Sequence, residues 1–182
     1  RSTPSLYLNQ NGNANIGSLT SSIVASVTSG SSVAAQTAKL SVIGGDASIN
    51  GVTVGLGGGQ NTTNTATGYQ TLYNNTTGSN NTANGWSALA ANTTGGSNVA
   101  VGRRALMSNT IGSSNTALGS SAMASSTTGS SNTGVGLAAL RYNTTGYQNV
   151  AIGASAMQYN DNGYDNVAIG VSTLFDNVTG IG

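Results

Sequence analysis

The sequence predicts an all-β fold: a repetitive parallel β-roll or solenoid of 17-residue coils, in an intertwined or side-by-side homotrimeric fibre. Three observations lead there. A 17-residue period runs without insertion from Asn61 to the end of the chain. Glycines recur so closely within it that no helical 3.6-residue pattern survives. Only 5% of residues are charged, against about a quarter in ordinary globular domains. Low charge suits stacked strands, where a repeated charge would sit on its own copy.

Two segments follow from the repeat boundary: a non-repetitive part over residues 1–59, and seven repeats over residues 60–182 that form a β-roll shaft or head. In the first part, Ser5-Leu6-Tyr7-Leu8-Asn9 and Ala14-Asn15-Ile16-Gly17 read as strands around an Asn11-Gly12 turn. Residues 18–37, rich in Ser, Val, Ala and Thr and uncharged, read as fibre strands or a spacer. Alternating apolar and polar residues over 39–55 predict strand, turn, strand, turn, strand. Gly57-Gly58-Gly59 is the expected joint.

In the repeats, one asparagine column runs Asn64, Asn81, Asn98, Asn115, Asn132, Asn149, Asn166. A glycine column follows from Gly68 to Gly170, then a large apolar column: Leu72, Leu89, Leu106, Met123, Leu140, Met157, Leu174. A second glycine column, Gly78 to Gly180, closes each unit. Strand side chains alternate, so Val150 and Ile152 share one face and Ala151 takes the other. Gly153 turns the chain, Ala156-Met157 starts a second short strand, and Asn143-Thr144-Thr145-Gly146 is a turn. Each unit is then strand, turn, short strand, turn. Stacked at about 4.8 Å per coil, the asparagines become an amide ladder and the Leu/Met column an apolar spine. Thr67 and Asn84 stand where later units have Val, Ile or Leu, which predicts less apolar first coils, and Gly134 replaces the usual Ala. A left-handed hexapeptide helix would need a period of 18, and calcium-binding nonapeptides would need regular aspartates; neither pattern is present. One coil offers about four small apolar groups, a thin core, so several chains are expected to share one.

With no His, no Cys, one Lys and no paired acids, the chain is expected not to be an enzyme and to use no cofactor. Five scattered cations do not make a nucleic-acid surface. No apolar run approaches the roughly 20 residues of a membrane span. Arg1-Ser2-Thr3-Pro4 is not followed by a signal-peptide core, and the chain stops inside a repeat, so it reads as a piece of a longer protein. The segment from Asp161 to Asn166 lacks the terminal Glu of a calcium loop and reads as a turn, with no metal site expected. Gly55-Leu56-Gly57-Gly58-Gly59 lacks the Lys-Ser/Thr of a phosphate loop. The Asn-x-Thr sites at Asn75, Asn92 and Asn143 follow from the turn consensus.

Some columns vary while the core columns do not. Tyr69, Trp86 and Arg103 share one; Tyr142 and Tyr159 share another; Tyr147 and Tyr164 a third. Variable repeat positions face solvent, and exposed Trp, Tyr and Arg serve as binding anchors. These seven are the candidate receptor-facing residues, with chain–chain packing as the competing role.

The strings Ser79-Asn80-Asn81-Thr82-Ala83-Asn84-Gly85-Trp86-Ser87-Ala88-Leu89 and Gln148-Asn149-Val150-Ala151-Ile152-Gly153 resemble the repeats of bacteriophage tail-fibre proteins. They are also similar to the Asn-Ser-Val-Ala-Ile-Gly motif of the left-handed parallel β-roll heads of trimeric autotransporter adhesins. The likeness covers about two-thirds of the chain, and the longer period favours the phage variety. It implies an extracellular, virion-tail segment that spaces and orients host-receptor binding. Its partners would be copies of itself, other virion tail proteins and a host surface glycan or protein. A bacterial surface adhesin is the alternative. An ice-binding solenoid, suggested by the Thr-Thr pairs, is a lesser one: neighbouring threonines point to opposite faces, and the column breaks at Ile111 and Asn162.

Whole units should be interchangeable. Deleting Gly95 through Ile111 joins Thr94 to Gly112 with every column in register, and thermal unfolding should show a folded, shorter rod. Deleting only Gly95 through Val99 should collapse protease resistance. Equal tolerance of both would mean that the region is a linker.

Overall fold

The computed structural model describes residues 7–8, 14–15, 47–49 and 52–182. The chain divides into two compact units, Arg1–Leu40 and Ser41–Gly182. In the first, β1 (Tyr7–Leu8) pairs antiparallel with β2 (Ala14–Asn15), as a hairpin about the expected turn would. That turn, residues 18–37 and residues 39–45 lie outside the described residues.

The second unit holds one nine-stranded sheet. It opens with β3 (Ala47–Ile49) and β4 (Val52–Gly55), paired antiparallel. β4 also pairs antiparallel with β5 (Thr65–Gly68). Six parallel strands follow: β6 (Thr82–Asn84), β7 (Val99–Val101), β8 (Thr116–Leu118), β9 (Thr133–Val135), β10 (Val150–Ile152) and β11 (Val167–Ile169). Each pairs residue for residue with its repeat equivalent, as in Thr82↔Val99, Ala83↔Ala100 and Asn84↔Val101. The repeats are therefore coils of a parallel β-solenoid, beginning at residues 64, 81, 98, 115, 132, 149 and 166. The glycines expected to form a joint instead make a tight 3-10 turn, Gly58–Gln60, whose Gly58 N–H donates to Leu72 O at 2.9 Å on the first coil.

One feature fills in what alternation leaves open, and another differs from the sequence reading. The strand turns its alanine inward: Ala66, Ala83, Ala100, Ala117 and Ala151 are fully buried, while the flanking Thr, Val, Leu and Ile columns face out. The polar Thr67 and Asn84 are on that outer side and do not dilute the core. The expected second strand is absent. There Leu89 adopts φ 51° and Ser87 φ 55°, and the whole Leu/Met column lies between φ 46° and 52°. A left-handed non-glycine residue costs roughly 1–2 kcal/mol. Fully burying a leucine side chain returns roughly 1.5–3 kcal/mol, and Leu89 N–H also gains a bond to Ala105 O of the next coil at 3.0 Å. The tight turn is thus stabilised by what it places inside and by what it bonds above. Leu72, Leu89, Leu106, Met123, Leu140 and Met157 are all fully buried within this one chain. The core is thin, but a single chain closes it.

Glycine is required at two points of each coil. Gly85 has φ 134°, and a Cβ on it would lie 2.6 Å from Gly102 O. A Cβ on Gly95 would lie 2.3 Å from Gly112 O of the next coil. The odd Gly134 answers a different need. A Cβ there would fall 3.0 Å from Met123 Cγ, so the longer methionine occupies the space that Ala fills elsewhere.

The expected asparagine ladder is present, and a second runs beside it. In the first, Asn98 donates to Asn81 Oδ1 from its backbone N–H at 3.0 Å and from Nδ2 at 3.1 Å. In the second, Asn92 Nδ2 donates to Asn75 Oδ1, and Asn109 Nδ2 to Asn92 Oδ1, both at 2.8 Å. The ladders meet at the closing glycine: Gly95 O accepts from Asn81 Nδ2 and from Asn92 Nδ2, each at 2.9 Å. These asparagines are buried, so each amide must find its partners inside. The turn reading of the Asn-Thr-Thr-Gly segment was correct as geometry but missed this second ladder.

One rung is broken. Ser126 stands in the second ladder's column, and both Asn109 Oδ1 and Ser126 Oγ are buried without a partner. An unpaired buried polar group costs roughly 1–3 kcal/mol. Ser126→Asn should restore the rung and raise the melting temperature by about 2–4 °C for each kcal/mol recovered. Asn92→Ser, which copies the break elsewhere, should lower it. No change in either variant would mean that the ladder does not hold the coils together.

Candidate functional site

The outward columns form two groups at different heights of the solenoid. The lower group is Tyr69, Trp86 and Arg103, on the first three coils at the position just after the turn glycine. Tyr69 is exposed and Trp86 is 40% exposed. The Trp86 ring has two guanidinium groups beside it, Arg103 Cζ and Arg104 Cζ, each 5.0 Å from its centre. In-register stacking brings them there, since Arg103 is the repeat equivalent of Trp86 and Arg104 follows it. Arg104 takes a left-handed conformation at φ 59°, and its Nε is buried with no acceptor.

The upper group lies on the fifth and sixth coils. Tyr142 and Tyr159 stack with centroids 4.9 Å apart and planes 9° from parallel. Tyr147 and Tyr164 stack at 4.7 Å and 7°. Both distances match the strand spacing of about 4.8 Å, as identical columns on successive coils should. Phe175 meets Tyr159 edge-on at 5.2 Å, and Arg141 Cζ lies 5.1 Å from the Tyr142 ring centre. The ring faces are largely turned on one another and on Arg141, so this group offers its surroundings mainly edges and hydroxyls. A shallow cleft of about 310 Å³ is lined by Tyr142, Thr144, Tyr159, Asp161 and Val178. Thr144 Oγ1 donates to Asp161 Oδ1 and, at 3.2 Å, to Asp161 O, which closes one wall.

The structure thus joins Trp86 to Arg103, Tyr142 to Tyr159 and Tyr147 to Tyr164, and keeps the two groups apart. It adds Arg104, Arg141, Phe175 and Asp161. The first two could have been found by reading the columns beside the aromatic ones, because a residue next to a repeat equivalent also lies next to it in space. Among the described residues, no three His, Cys, Asp or Glu side chains come together as metal ligands, and no helix is long and apolar enough to cross a membrane.

Comparisons with protein-family models, with curated proteins and with solved structures return no match for this chain.

Desolvation raises the Tyr147 phenol pKa, with the neighbouring Tyr164 and Asp165 adding to the effect. A spectrophotometric titration should show a tyrosine ionising above the usual phenol range. Tyr147→Phe should remove that late step. An unchanged curve would contradict the stacked arrangement.

Proposed function

We propose that this chain is a non-catalytic, extracellular fibre segment, the shaft of a phage tail fibre that spaces and orients host-receptor binding. One observation carries the reading: seven strands in unbroken residue-for-residue register make a rod of equal, self-bonding increments. Such a rod has geometry as its output. Each coil adds about 4.8 Å of length. The Val-Ala-Ile strands that resemble adhesin heads keep a bacterial surface adhesin as the second reading. The threonine column argues against ice binding: Thr76, Thr93, Thr110, Thr127 and Thr144 each donate their hydroxyl to a carbonyl of the next coil. Those hydroxyls are committed to the rod.

The reading includes a parallel homotrimer, but on a face other than the Leu/Met column, which one chain already seals. The outer face of the sheet is the better surface. Its apolar side chains include Val99, Leu118, Ile152, Val167 and Ile169, the last 67% exposed. Exposed contiguous apolar surface of this kind marks interaction sites, and obligate interfaces are the more hydrophobic ones.

A Leu118→Asp/Ile152→Asp variant separates the two possibilities. It should sediment as a monomer with the β spectrum of the parent, whereas Leu106→Asp should unfold the rod. A parent chain that sediments as a monomer overturns the trimer. Imaging of intact particles with an antibody to this segment tests the larger claim: label along tail fibres supports it, and label confined to a bacterial envelope favours the adhesin.

A further inference from the structure

We propose that Arg103 and Arg104, beside Trp86, form a binding site for an anionic group, a carboxylate or phosphate carried by a cell-surface polysaccharide. The anion site rests on geometry alone. Its assignment to a surface polymer rests on the attachment reading above.

Two like charges converge on one indole ring, each guanidinium carbon 5.0 Å from its centre. The convergence occurs in a chain that otherwise avoids charge. No acidic residue lies between Asp46 and Asp161, so the coils around the arginines carry no carboxylate. Asp161 is on the sixth coil and the arginines on the third, a separation of three strand spacings or about 14 Å. That exceeds the Debye length of about 8 Å at physiological salt. Cation–π attraction to Trp86 offsets part of the repulsion, but it provides no hydrogen-bond acceptor. Arg104 Nε remains buried and unpaired, as does Arg141 Nε beside Tyr142, but only at Trp86 do two arginines share one ring, and a buried donor without an acceptor is the exception in folded proteins.

An anion would meet the first of these, the uncompensated charge, at the accessible donors of the pair. It would neutralise the pair and accept from the planar forks of donors that make arginine the usual partner of carboxylate and phosphate. The repeat equivalents on the next coil are Ser120 and Ser121, small hydroxyl side chains in place of bulk. A second copy cannot supply the missing charge in a parallel trimer. Its arginines would sit at the same height, and its coils at that height carry no acidic residue. The anion must come from outside the fibre.

Trp86 is the only tryptophan in the chain, so its emission reports on the site directly. The intact chain is titrated with inorganic phosphate, with polygalacturonate and with neutral dextran. The expected result is a saturable change with the first two, weakened by added salt, and none with dextran. Arg103→Ser/Arg104→Ser copies the next coil and keeps the fold, which circular dichroism verifies. It should weaken binding at least about tenfold, as loss of charge-assisted bonds does. Lys39→Ala, which removes a cation from the non-repetitive segment, should bind as the parent does. No saturable response to either anion overturns the proposal, as does an equal loss in Lys39→Ala. A response to phosphate but not to polygalacturonate overturns the polysaccharide assignment. Failure of anion binding in a chain that still forms a trimeric fibre leaves the fibre reading standing. Binding in a chain shown to be monomeric and absent from particles and envelopes does the reverse.

Discussion

Everything in the solenoid depends on the requirement that each residue sit directly over its equivalent one strand spacing away. Parallel pairing in a uniform 17-residue register imposes this on all columns at once. A residue type is then tested against itself. Asparagine passes because its side chain is donor and acceptor together, so a buried column of amides satisfies itself rung by rung. Charge fails in the interior, because copies would repel without screening. Glycine becomes obligatory wherever one coil's backbone meets the next too closely for a Cβ, as at Gly95 over Gly112 O. The low charge and the glycine content follow from one geometric rule.

The same rule explains how so little apolar material closes a core. A coil buries two alanines and one Leu or Met, together with two asparagines. The alanines allow the walls to approach, and the large side chain fills what remains. At Met123 a Cβ on Gly134 would fall 3.0 Å from Cγ, whereas Met157 is accommodated with Ala168 at the equivalent place. The left-handed backbone of the Leu/Met column is what aims those side chains inward, and inter-coil hydrogen bonds hold it there.

Much of this was legible in the sequence, because a period with fixed columns leaves few alternatives. The coil length, the first amide ladder and the stacking of Tyr142 on Tyr159 could be read directly. What could not be read was direction. Alternation places Val150 and Ile152 opposite Ala151 but does not say which side is inside, and here the smaller residue is the buried one. The second ladder was hidden because Asn before Thr-Thr-Gly is also an ordinary turn former. The left-handed leucines were hidden because nothing in a leucine announces positive φ. At the candidate site the residues within one column were visible, and Arg104, in the next column, becomes visible only when neighbouring columns are read together.

The amide rungs also give the rod a sense. In both asparagine ladders the Oδ1 of one coil accepts from the coil that follows it, at Asn64 as at Asn149. The threonine rungs donate the other way, from each coil to the one after. A coil turned end for end would set oxygen against oxygen in one track and hydrogen against hydrogen in the other. The solenoid is therefore a vector, with the asparagine tracks presenting acceptors and the threonine track presenting donors on the same face of every coil. Coils can be added, removed or exchanged along it, but none can be inverted, and a rod made this way always knows which end is which.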